Sequence, residues 1–298
     1  MDSGPAEHGH RVKGRLVSLL PPEQGPWVSR RRTRQDGAME RFTVTHAGVE
    51  LHGVDSGGAL PAVLLLHGLA GRSGEWSPVI DRIRHRFRVV AFDQRGNGLS
   101  TRRPDDLSRE AHVADVVEVA DHLGITELVL VGQSMGAHTA MLTAARHADL
   151  VRRLVLVEGG VGGEGAEATE GTIQWFQGWP APFPSRADAA AFFGGGETGA
   201  IWAAGLQRTP AGLMPQFDVD VLRAALSPVH AQARWAEWAA LRCPVDLIRG
   251  GQGFMRDEEV ARMNQLQPTM RVVEVQQAGH DVHLDTPDEV ADVLLHER

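Results

Sequence analysis

Short apolar runs recur along the chain, and a helical pattern follows most of them. Val63-Leu64-Leu65-Leu66, Val89-Val90-Ala91-Phe92, Leu128-Val129-Leu130-Val131 and Leu154-Val155-Leu156-Val157 are continuous, as strands buried on both faces of a parallel sheet are. Val245 to Ile248 and Val272-Val273-Glu274-Val275 are two more candidates. Upstream, Phe42 to His46 and Val49 to Val54 alternate apolar and polar residues across Ala47-Gly48, the pattern of a hairpin with one buried face. Helical spacing covers Pro78 to His85 and Met135 to His147. It also covers Glu110 to Leu123, where Val113, Val116, Val117 and Ala120 share a stripe and Gly124 is the expected C-cap. Thr286 as N-cap and Pro287 at the first position open a last helix to Leu295. Strands alternating with helices predict an α/β fold: a mostly parallel, twisted sheet of about eight strands with helices on both faces.

Residues 159–240 break the alternation. They begin with Gly159-Gly160-Val161-Gly162-Gly163, carry Trp175, Trp179, Trp202, Trp235 and Trp238, and show helical patterns with no strand between them. Because the sheet pattern resumes after Pro244, this segment is read as a helical cap inserted in one domain whose core is 39–158 and 241–298. Its glycine runs, Gly159–Gly163 and Gly194–Gly196, are candidate hinges or simply irregular loops.

Composition narrows the class. The chain of 298 residues is 42% apolar, ordinary for a globular protein with a sizeable core. No window approaches 18 uninterrupted apolar residues, so no membrane-spanning helix is expected. A single cysteine, Cys243, excludes an intrachain disulfide and a cysteine-based metal site and fits a cytoplasmic protein. Residues 1–38 carry seven Arg/Lys and four acids, so the net charge of −8 lies wholly on the body that follows. An acidic body argues against nucleic acid as a partner. The basic stretch is expected to be a flexible N-terminal tail. Its Ser29-Arg30-Arg31-Arg32 is similar to a twin-arginine export signal, but Arg34-Gln35-Asp36-Gly37 follows where an apolar region is required. Met39, directly before the first strand pattern, is a candidate alternative start. The 14 histidines form no H-x-x-x-H or H-E-x-x-H pattern, and no G-x-G-x-x-G follows a strand in a nucleotide-binding context. No metal and no cofactor are expected. A monomer or homodimer acting on a small molecule fits these features.

The chemistry begins at Gly132-Gln133-Ser134-Met135-Gly136, which lies between a strand and a helix. In G-x-S-x-G the turn is so sharp that side chains at the glycine positions would meet neighbouring backbone, and the serine is lifted above the sheet at a helix N-terminus. There the Met135 N–H, unpaired within the helix, can face a developing oxyanion. An alcohol needs a base to become a nucleophile.

With three further stretches, from about Met39 to the C-terminus, the chain resembles the capped α/β-hydrolases. His67-Gly68-Leu69 leaves a strand, with Trp76 following at the family's spacing. Asp93-Gln94-Arg95-Gly96-Asn97-Gly98-Leu99-Ser100 is similar to the family's D-x-R-G-x-G-x-S loop. Gly279-His280 precedes the helix that starts at Pro287. The resemblance implies that Ser134 is the nucleophile and that the base comes last in the chain, after the acid. That selects His280; His283 is the alternative, or a packing neighbour. It implies the Leu69 N–H as second oxyanion donor, a tight turn at Gly68, a structural role for His67, and loop-tying roles for Asp93 and Arg95.

The acid is the open question. The family usually places an aspartate on the loop after the strand ending at Ile248, but here that loop reads Arg249-Gly250-Gly251-Gln252-Gly253-Phe254-Met255, with no acid before Asp257. Glu158 ends the strand after the nucleophile strand, and strand carboxyl ends are where sites form in open parallel sheets. Haloalkane dehalogenases, which this chain resembles in that respect, take a glutamate there. Their aspartate nucleophile is replaced here by Ser134, which excludes their chemistry and that of epoxide hydrolases. Glu158 and Asp257 both remain candidates, Asp257 also as a helix N-cap; a degenerate triad is the third possibility. Gly68, Trp175, Trp179, Trp202, Phe254 and His283 are the candidate pocket residues. A carboxylesterase or lactonase acting on a largely apolar substrate is the implied activity. The alternatives are a carbon–carbon hydrolase of ring-cleavage diketones and a ligand-binding receptor on a hydrolase scaffold.

Overall fold

A computed structural model of the protein describes residues 39–296; the basic tail and the readings placed on it lie outside the described residues. Strands β1 (Glu40–His46) and β2 (Val49–Asp55) form the expected hairpin, turning at Ala47 and Gly48, both at positive φ. β3 (Ala62–Leu66), β4 (Arg88–Phe92), β5 (Leu128–Gln133), β6 (Val151–Val157), β9 (Val245–Gly250) and β10 (Arg271–Val275) complete an eight-stranded sheet in the order β1-β2-β4-β3-β5-β6-β9-β10. β2 pairs antiparallel with β4, and every later pairing is parallel.

The continuous apolar runs are explained by burial on both faces. Alternate residues point to opposite sides of a strand. Leu64, Leu130, Leu154 and Leu247 join one core, with Val116 of α2 (Arg109–His122), Met141 of α3 (Met135–Arg146) and Met263 of α9 (Asp257–Leu266). Val63, Val129, Val155 and Ile248 join the other, with Ile80 of α1 (Ser77–Ile83) and Val290 of α11 (Pro287–Leu295). Helix α2 is capped by Ser108, whose hydroxyl accepts the Ala111 N–H, and is followed by Gly124 at φ 64°. Thr286 does occupy the N-cap position of α11, but its hydroxyl donates back to Val282 O at 3.1 Å and caps nothing. The short helix α10 (Val282–Asp285) ends immediately before it and supplies a nearer acceptor.

Residues 159–240 hold α4 (Ala166–Gln177), α5 (Arg186–Phe192), α6 (Gly196–Ala204), α7 (Val219–Ala231) and α8 (Trp235–Ala239). Two features differ from the sequence reading. A hairpin, β7 (Gln207–Thr209) with β8 (Gly212–Met214), interrupts the helices; strands of three residues carry too little alternation to be read from sequence. Helix α8 also packs with the sheet: Trp238 is fully buried in the α2–α3 core and donates its indole N–H to Met263 O at 2.9 Å. The other helices share a separate aromatic core built on Ile173, Phe176, Trp179, Phe183 and Phe217.

Candidate active site

β5 runs into α3 through Ser134, which sits at φ 52°, ψ −118°, a backbone costing about 1–3 kcal/mol that the surroundings must hold. Both flanking glycines are required. A β-carbon on Gly132 would overlap the Gly136 carbonyl, and one on Gly136 would overlap the His67 carbonyl. The Ser134 N–H donates to Val157 O at 3.0 Å, tying the turn to the end of β6.

The loop after β3 is held beside this turn. A β-carbon on Gly68 would lie 3.2 Å from Ser134 Cβ and would overlap the Gln133 side chain. His67 is buried: Nε2 accepts the Gln94 N–H at 2.8 Å and Nδ1 donates to Gly68 O at 2.7 Å. Burial lowers its pKa, so the ring is neutral and acts as a strut. Asp93 accepts the Ser73 and Leu99 N–H groups at 2.7 and 2.8 Å. Arg95 forms a bidentate, buried pair with Asp115 at 2.6 Å on each arm. These residues tie the loops around the site.

Glu158 follows β6 at φ 45°, another left-handed non-glycine residue. Its carboxylate is completely buried, and Oε2 lies 3.4 Å from His280 Nδ1, at the long end of hydrogen-bond range. The loop after β9 wraps it: Gly250 N–H donates to Oε1 and Phe254 N–H to Oε2, each at 2.9 Å. The Phe254 ring lies over the His280 ring, with centroids 4.8 Å apart, and is 78% exposed. Asp257 is not brought to His280. It is the first residue of α9, after Arg256 at the N-cap, and its exposed carboxylate pairs with Arg249 at 2.7 Å.

Ser134, Glu158 and His280 line one cavity of about 650 Å³, together with Leu69 and Met135. Gly68, Trp175, Trp202 and Phe254 also line it. Two expected pocket residues do not. Trp179 is buried among Trp175, Phe176, Phe193 and Phe217. The His283 ring is turned by α10 into the body, 4.6 Å from Trp76, where burial and the nearby His280 and His67 push its pKa down to about 3. The glycines of 159–163 are pressed between neighbours and do not form an open hinge: a β-carbon on Gly159 would lie 2.7 Å from Ser134 O, and one on Gly163 2.5 Å from Ala233 N.

Two acids beside the site carry no motif. Asp281 accepts the Trp202 indole N–H at 3.0 Å and the Gln133 amide at 3.4 Å, linking α6 to the nucleophile turn. Its pKa is raised by burial. Glu75, on a single helical turn (Ser73–Trp76), is buried, and desolvation followed by the charge of Asp281 pushes its pKa up to about 8. Adjacency to His280 and Trp76 was the only sequence signal for either. Among the described residues no cluster of His, Cys, Asp and Glu could hold a metal ion, and no helix is long and apolar enough to cross a membrane. Burial pushes the Cys243 thiol up to about 11, leaving it a poor nucleophile.

The model of the alpha/beta hydrolase fold family matches residues 61–287, and the chain belongs to that family. It is 30% identical over 251 residues to the N-formylmaleamate deformylase of Pseudomonas putida, covering 82% of this chain and 91% of that one. The fold matches the crystal structure of E-2-(acetamidomethylene)succinate hydrolase with a TM-score of 0.78 at 23% identity, over 86% of this chain and 98% of that one. It matches the enol-lactonase of Burkholderia xenovorans with a TM-score of 0.68 at 21% identity, over 85% and 98% of the two chains. The protein is a hydrolase.

Proposed function

We propose that the protein is a serine hydrolase that cleaves a largely apolar carboxylic ester or lactone through an acyl-serine intermediate. The observation that carries this reading is the buried Glu158 carboxylate facing His280 Nδ1 on the same cavity wall as the strained Ser134. In this mechanism Ser134 Oγ attacks the carbonyl carbon and His280 Nε2 takes its proton. Glu158 holds the imidazole with Nδ1 protonated and stabilises the imidazolium. The tetrahedral oxyanion is received by the Leu69 and Met135 N–H groups. Collapse expels the alcohol, which takes the proton from His280, and water then releases the acid by the same route. Phe254 covers the exposed side of the imidazole, and residues 159–231 act as the cap that closes the cavity, with Trp202 and Asp281 as its fastening to the body.

A second reading is hydrolysis of an N-acyl amide by the same groups, which the 30% identity to a deformylase favours. A panel of p-nitrophenyl esters, lactones, N-formyl amides and ring-cleavage diketones, run on wild type and Ser134→Ala, tests both. Ester or lactone turnover that disappears in Ser134→Ala supports the first. Turnover confined to amides or diketones replaces it. Failure of a fluorophosphonate to label Ser134 in the wild type removes the serine chemistry altogether.

A further inference from the structure

One end of the cavity holds polar groups that the proposed chemistry does not use. The loop 159–164 threads between them. A β-carbon on Gly160 would lie 2.6 Å from Glu259 Oε1, and one on Gly162 would lie 3.2 and 3.3 Å from Cδ2 and Nε2 of His138. At the end of the loop, Glu164 Oε2 is 3.6 Å from His230 Nε2. All four side chains line the cavity that contains Ser134 and His280.

Their charge is poorly balanced. Burial first, and then Glu164, push the Glu259 carboxyl above its ordinary range, against the opposing pull of Arg256 and the Val161 N–H. Arg256 is the single guanidinium among the described lining residues; its side chain is 71% exposed, and it comes only to 4.0 Å of Glu259, while Arg109, Arg234 and Arg146, whose charges act on His138, are not part of the lining. His138 is 1% exposed, and neither ring nitrogen has a hydrogen-bond partner. Burial and the neighbouring arginines keep it neutral, so one ring nitrogen is a free acceptor. A buried free acceptor and two carboxylates lining one cavity with a single, distant guanidinium suit a group with several N–H donors and a positive charge.

We propose that this end of the cavity is a subsite for a protonated primary amine on the substrate, with Glu164 and Glu259 balancing its charge and His138 accepting one of its N–H bonds. An ammonium has three donors and no acceptor, which matches that set. Trp175 and Phe176 line the same cavity, and aromatic rings attract cations. His138 is four residues after Ser134 on α3, about 6 Å along the helix axis, so the amine stands a short carbon chain from the bond to be broken. The named substrates of two relatives, a maleamate and a succinate, are anions, and this subsite repels anions. Which bond breaks rests on the serine-hydrolase reading; amine binding does not.

Calorimetric titration at pH 7 with hexylammonium, hexan-1-ol and hexanoate, matched in length and differing in charge, tests this. Wild type, Glu164→Gln and Glu259→Gln are compared after thermal melting has verified that each is folded. Hexylammonium is expected to bind about tenfold tighter than hexan-1-ol, with hexanoate weakest. Each glutamine variant should cut that ratio severalfold, and hexylammonium should slow fluorophosphonate labelling of Ser134. No binding of hexylammonium, hexanoate binding as well or better, or a ratio unchanged in both variants overturns the subsite. An intact ratio in a protein whose Ser134 never labels overturns the serine hydrolase and leaves the subsite standing.

Discussion

Gly253 has no side chain where the Glu158 carboxylate needs the space. A β-carbon at Gly253 would overlap the carboxyl group itself, while the amides of Gly250 and Phe254 on either side donate to its two oxygens. The loop that lacks an acid is therefore folded around an acid supplied by β6. Gly253→Ala should displace Glu158 from His280 and lower kcat by an order of magnitude or more, with a smaller change in KM. Steady-state kinetics on a p-nitrophenyl ester checks this; wild-type kcat in Gly253→Ala would show that the enclosure is not needed.

Substitution at Gly68 should cost far more than substitution at Leu69. A methyl group at Gly68 meets Gln133 and Ser134, so Gly68→Ala should move the oxyanion donor and lower kcat by about 10²-fold. Leu69→Ala keeps the backbone amide and should change kcat by less than about fivefold. Comparable losses in both variants would point to the leucine side chain as the contributor.

Glu75 should make the fold less stable at alkaline pH. Its folded pKa is about 8 against an ordinary 4.5, so between those values the folded state holds a proton that the unfolded state releases. Stability falls as pH rises through that window and levels off above about 8, by a total on the order of 5 kcal/mol. Urea melts of wild type and Glu75→Gln from pH 5 to 9 should show this decline in the first and its loss in the second.

His283 acts at the other end of the scale. Its folded pKa of about 3 lies below the ordinary 6.5, so the unfolded state gains a proton first as pH falls. Stability is lost progressively below about 6.5 down to about 3. His283→Phe, which keeps a ring against Trp76, should flatten the melting-temperature profile over pH 4–6.5; an unchanged slope would assign the acid sensitivity to other groups.

The parts of this molecule governed by local rules were legible in the sequence. Runs such as Leu128–Val131 give the buried strands, and Gly132 and Gly136 give the turn, because period and backbone sterics act over a few residues. The position of Glu158 at a strand end was legible, whereas the loop that encloses it was not, since Gly253 has meaning only when a carboxylate from 95 residues earlier lies against it. Trp179 and His283 were misplaced because side-chain direction within the segment 159–240 and in α10 depends on tertiary packing. Glu75 and Asp281 belong to no motif; burial alone makes them notable. The β7–β8 hairpin, with three residues in each strand, is too short for alternation to reveal it.

The most direct measurement compares kcat for Glu158→Gln and Asp257→Asn on one p-nitrophenyl ester. Glu158 is buried on His280, while Asp257 is exposed on Arg249. Glu158→Gln should lower kcat by on the order of 10²–10⁴-fold, and Asp257→Asn should remain within about twofold of wild type. Full activity in Glu158→Gln together with its loss in Asp257→Asn would contradict the assignment of Glu158 as the acid.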